Sequence, residues 1–129
     1  MTDVVGTVLV LLCLFQVKHM FADYFMQTPK MLAGRGQYWH MGRAQHAAVH
    51  ALGSMIAFAL IGAPTVFILL ICLAEWVVHF HIDWAKAKYS ESKCLAPTEG
   101  GFWRAFGVDQ TLHGLTYVAM AWAWVVYAA

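Results

Sequence analysis

Nine residues inside otherwise apolar stretches carry the chemistry of this chain: His19 and Asp23, His46 and His50, Glu75, His79 and Asp83, and Asp109 and His113. Within each set the step is four residues, which returns to the same face of an α-helix, so each set forms a polar stripe. A charged group at mid-bilayer costs about 3 kcal/mol on insertion scales, so such residues face a bundle interior and mark function. Imidazoles and carboxylates converging inside a helical bundle are the usual ligand supply of its metal sites. That donor set suits a divalent metal such as zinc, iron or manganese. The candidate ligands are His19, Asp23, His46, His50, His79, Asp83, Asp109 and His113. They outnumber the three or four that one zinc needs. Either two metals bind, or some carboxylates orient the histidines. Such a site can activate water for hydrolysis of lipid-like, phosphate or ester substrates, with Glu75 or Asp83 as the catalytic carboxylate. Two other readings use the same residues. His–Asp pairs can hold helices together as a structural polar layer, in a non-catalytic membrane subunit of a larger complex or a homo-oligomer. Two facing histidines can also ligate haem.

The elements that must position these residues follow from hydropathy. Only 12% of the 129 residues are charged and 61% are hydrophobic, whereas a soluble domain carries about a quarter charged residues. The composition predicts one membrane domain over residues 1–129, its partner the lipid bilayer. A net charge of +1 excludes a nucleic-acid footprint. Four segments, about 4–26, 44–61, 65–87 and 106–127, are long enough to cross a bilayer. Pro29 ends the first, Gly62-Ala63-Pro64 separates the second from the third, and 88–103 reads as a polar loop. The fold class predicted is an all-α integral membrane four-helix bundle.

Lys30, Arg35 and Arg43 lie in the first long loop, and Lys86, Lys88, Lys93 and Arg104 lie in or beside the second. The positive-inside rule then puts both loops in the cytoplasm and both termini outside, as a multi-pass protein of the bacterial inner membrane. This orientation uses Lys and Arg alone, yet it brings all four stripes to one depth near the cytoplasmic face, with Glu75 one turn deeper. The first apolar run lacks a basic start and a small-residue cleavage site, so it reads as a retained helix. Cys13, Cys72 and Cys94 form no metal motif or disulfide framework. Lys18 is expected to snorkel to the interface. His81 is expected to point off the stripe and His40 to lie at the membrane surface, while Gln27 and Gln110 extend the rim of the polar layer.

Read in order, four motifs carry a resemblance: His19-Met-Phe-Ala-Asp23-Tyr-Phe-Met-Gln27-Thr28, His46-Ala-Ala-Val-His50, His79-Phe-His-Ile-Asp83-Trp-Ala-Lys86 and Asp109-Gln110-Thr-Leu-His113. Together they resemble the bacterial and phage membrane family called domain of unknown function 3307, over nearly the whole chain. The resemblance implies a compact multi-helix membrane protein and supplies no reaction. The long third loop, Ser90 to Trp103, departs from the family pattern.

Overall fold

Residues 3–129 are described by a computed structural model, and among them the chain is all α, with five helices and no strand. They are α1 (Val4–Tyr24), the single turn α2 (Pro29–Leu32), α3 (Met41–Leu60), α4 (Thr65–Ser92) and α5 (Gly100–Tyr127). The four long helices pack as a ring, in which α1 and α4 each lie against both α3 and α5. Tight connections explain the antiparallel neighbours. Gly62, at φ +74°, turns the chain out of α3, and Pro64 leads into α4.

Local chemistry sets the other ends. The Asp3 carboxylate accepts from the Gly6 amide at 3.0 Å and caps α1. Thr28 caps α2, with Pro29 in its first turn. His40, expected at the membrane surface, uses Nδ1 to accept from the Arg43 amide at 2.9 Å and so caps α3. Arg43 itself is fully buried. Its guanidinium donates to the carbonyls of Arg35, Gln37 and Tyr38 and stacks over the Phe80 ring at 4.4 Å. One side chain thus ties the 33–40 segment to α3 and α4.

Four helix ends differ from the sequence reading by more than one residue, among them the start of α3, which lies at Met41 rather than near residue 44. α4 runs on to Ser92 and α5 begins at Gly100, so the expected 88–103 loop shrinks to residues 93–99. Polar residues there do not stop the helix, and two of them find partners. The Ser92 hydroxyl donates to the Tyr89 carbonyl at 2.8 Å. Glu91 accepts from the Gly36 amide at 3.0 Å, and the first turn of α5 tolerates Gly100 and Gly101 at its N-terminus. α1 ends at Tyr24, before the expected Met26.

The interior is polar at one end and apolar at the other. Leu11, Phe15, Phe58, Ile68, Met120 and Trp124 form the apolar core, while His46, His50, Glu75, His79, Asp109 and His113 are also buried. The outward faces carry large apolar side chains, among them Leu9, Leu52, Ile56, Leu70, Leu115 and Trp122. Two helices, α1 and α4, are long and apolar enough to cross a membrane. The four spans read from the sequence are therefore met on that measure by two. The stretches Gln45–His50 and Asp109–His113 make α3 and α5 more polar.

Candidate metal centre

Each long helix delivers its stripe to the same place. α1 contributes His19 and Asp23, α3 His46 and His50, α4 His79 and Asp83, and α5 Asp109 and His113. The imidazoles form a contiguous cluster, with ring centroids 3.9 Å apart for His50 and His79, 4.2 Å for His79 and His113, and 4.7 Å for the edge-to-face pair His46 and His50. Small residues on α3 permit this approach: Ala47, Ala51 and Ser54 are buried beside the histidines.

Two carboxylates form the focus of the cluster. Asp23 Oδ1 lies 2.9 Å from His50 Nε2 and 3.2 Å from His46 Nε2, and its Oδ2 lies 3.0 Å from His19 Nε2. Asp83 Oδ1 lies 3.3 Å from His113 Nε2, and its Oδ2 lies 3.4 Å from His79 Nε2 and 3.7 Å from His46 Nε2. Five imidazole Nε2 atoms thus converge on two aspartates. Among the described residues, three sets could hold a metal ion: His19, Asp23 and His50; His46, His50 and His79; and His79, Asp83 and His113. In each, the ligand atoms lie within 4.8 Å of one another. Metal–nitrogen bonds of about 2.0–2.1 Å put neighbouring ligands on a tetrahedral ion about 3.3 Å apart. The observed contacts bracket that spacing. His79 Nε2 and Asp83 Oδ2 are moreover buried without a hydrogen-bond partner, which costs free energy unless something satisfies them. The donor set fits a divalent metal.

Asp109 falls outside the three sets. Its Oδ1 is 3.6 Å from His113 Nε2 and its Oδ2 accepts from Gln110 Nε2 at 3.1 Å. Glu75 is also apart, one turn deeper. It pairs with Lys18, whose Nζ lies 2.5 Å from Glu75 Oε1 and donates to the His50 carbonyl at 3.1 Å. The expected snorkelling of Lys18 is therefore corrected. Gly53 on α3 lets the lysine stem pass, since a Cβ there would lie 3.2 Å from Lys18 Cβ, and the ammonium turns inward to the buried carboxylate. His81 is exposed and points away, its Nε2 3.0 Å from the Tyr38 hydroxyl.

Tyr117 was missed by the sequence reading. Its hydroxyl is 2.7 Å from His19 Nδ1 and 3.4 Å from His50 Nδ1, so it holds two rings from behind with their Nε2 atoms toward Asp23. The signal was present: Tyr117 continues the Asp109–His113 stripe by another four residues.

A cavity of 260 Å³ opens onto the cluster and reaches Asp23, His46, Asp83 and Asp109. Arg35, Lys86, Gln27 and Gln110 also line it. With its amide oxygen toward Arg35, Gln27 accepts from Arg35 Nη2 at 2.6 Å and donates to the Asp23 carbonyl at 3.3 Å. Gln110 Oε1 lies 3.0 Å from His19 Nε2.

No curated protein and no solved structure matches the chain. A family model, described as a protein of unknown function and named DUF3307, matches residues 10–129, and the chain belongs to that family.

Proposed function

We propose that this chain is a multi-pass protein of the inner membrane that binds a divalent metal and hydrolyses phosphate or ester bonds at the cytoplasmic head-group level. The observation that carries the metal reading is the convergence of five Nε2 atoms on Asp23 and Asp83. The membrane reading draws on the apolar outward faces and on α1 and α4. A bundle with ionisable groups inside and leucines outside is matched to lipid rather than to water.

A divalent ion bound by these residues supplies Lewis acidity and makes water a nucleophile near neutral pH. The chain's own groups supply the rest. Arg35 and Lys86 line the cavity and complement an anionic substrate group. Asp109 lines the same cavity, and its buried Oδ1 has no hydrogen-bond partner. It can accept a proton from entering water, whereas Glu75 is engaged by Lys18 and lies outside that lining. Asp109 is thus the better general base, and Asp83 serves the cluster as a ligand.

Elemental analysis of the protein purified in mild detergent tests this reading. Near-stoichiometric zinc, iron or manganese is expected, falling in His50→Ala and Asp83→Ala. A folded protein that keeps no metal would leave the competing reading, a structural polar layer in a non-catalytic subunit. That reading is favoured by the hydrogen-bond distances at which Asp23 already meets His19 and His50. Haem fits less well. His50 and His79 stack at 3.9 Å, with no slot between the rings for a macrocycle.

A further inference from the structure

We infer that the chain is a tandem duplication of one helical hairpin and that its centre takes two divalent metal ions, one per hairpin. This rests on the metal reading above and adds its stoichiometry and origin. An offset of 60 residues carries His19 and Asp23 of α1 onto His79 and Asp83 of α4. An offset of 63 residues carries His46 and His50 of α3 onto Asp109 and His113 of α5. The three-residue difference falls in the connections within the hairpins, where insertions cost little. Packing obeys the same exchange. Swapping α1 with α4 and α3 with α5 returns the observed ring of neighbours, in which α1 faces α4 and α3 faces α5 across the centre.

The ligand sets obey it too. His19, Asp23 and His50 form one set, and their counterparts His79, Asp83 and His113 form another; the two share no residue. Each takes a histidine and an aspartate from the first helix of its hairpin and a histidine from the second. The remaining pair, His46 and Asp109, stands beside its own set. His46 Nε2 is 3.2 Å from Asp23, and Asp109 Oδ1 is 3.6 Å from His113. Each hairpin therefore offers three ligands to one ion, which leaves a position open for water as in catalytic sites, with His46 and Asp109 beside them.

A single ion could instead occupy the central set, His46, His50 and His79. That set contains no carboxylate, while both outer sets do, and a dication buried with neutral imidazoles alone is the less favourable choice. Because His50 and His79 belong both to the central set and to one outer set each, the two outer positions are adjacent. Adjacent positions suit the spacing of about 3.5–4 Å seen in two-metal sites that clamp an in-line displacement at phosphorus.

Manganese titration of the full chain in detergent, read by elemental analysis and by electron paramagnetic resonance, separates the possibilities. Two manganese ions per chain are expected, with an exchange-broadened spectrum in place of the resolved hyperfine pattern of an isolated ion. His19→Ala and His113→Ala, each removing one outer ligand, should each leave about one ion with the isolated pattern. One ion in the native chain, lost in both variants, would overturn the two-ion assignment while leaving the metal reading intact. No manganese, zinc or iron in a folded native chain would overturn both. The native stoichiometry stands as a test even where a variant fails to fold.

Discussion

Replacing Lys18 by methionine removes the cationic half of the ion pair that closes the deep end of the polar centre. The Lys18 and Glu75 side chains are 11% and 1% exposed, their atoms 2.5 Å apart. Lys18 also lies 4.4 Å over the Tyr117 ring, and Glu75 Oε2 has no other partner. The carboxylate left in Lys18→Met stays buried and loses its counter-ion. Breaking a buried pair in this way costs about 3–5 kcal/mol, whereas replacing both partners by apolar residues is often neutral. Lys18→Met should therefore be destabilised by about 3–5 kcal/mol, and Lys18→Met/Glu75→Leu should recover most of that loss. Reversible unfolding in mixed micelles, followed by circular dichroism, measures the three stabilities. Metal content of the double variant should equal that of the native chain, because Glu75 belongs to none of the candidate sets. A Lys18→Met variant within about 0.5 kcal/mol of native would refute the argument that the pair is desolvated. Loss of metal in a folded double variant would return Glu75 to the site.

Three further outcomes follow from other contacts. Tyr117→Phe keeps the ring but removes the hydroxyl behind His19 and His50; metal affinity should fall about 10–100-fold with the fold retained, as read by competition with a chelator. Arg43→Gln should destabilise the chain by about 3 kcal/mol or more, since it strips three carbonyls of a buried charged donor; faster proteolysis of the 33–40 segment would report it. Cys94, exposed in the 93–99 segment, should react with a membrane-impermeant thiol reagent in inverted membrane vesicles and not in intact spheroplasts. The opposite pattern would reverse the proposed orientation.

The polar stripes were legible because polar residues are rare in apolar helices and a four-residue step has one geometric meaning. His19, Asp23, His46, His50, His79, Asp83 and His113 all meet at the centre. Tyr117 was hidden by its chemistry: an aromatic ring in an apolar helix reads as core, and only its hydroxyl joins the cluster. Lys18 was misread because depth alone put it near the interface. The Gly53 backbone that admits its stem lies on another helix, which no single-helix pattern reveals. The end of α4 and the start of α5 were misjudged for a related reason, since Glu91 is held by the distant Gly36 amide. A continuous apolar run long enough to cross a membrane is present in α1 and α4, whereas Gly, Ser, Thr and Gln residues interrupt α3 and α5 as well as the stripes.

The most direct test of the centre is X-ray absorption spectroscopy of the purified chain at the zinc, iron and manganese edges. A first shell of nitrogen and oxygen at about 2.0–2.1 Å, with the outer-shell scattering of several imidazoles, is the predicted result. A sulfur shell, or a folded protein without an absorption edge for zinc, iron or manganese, would contradict it.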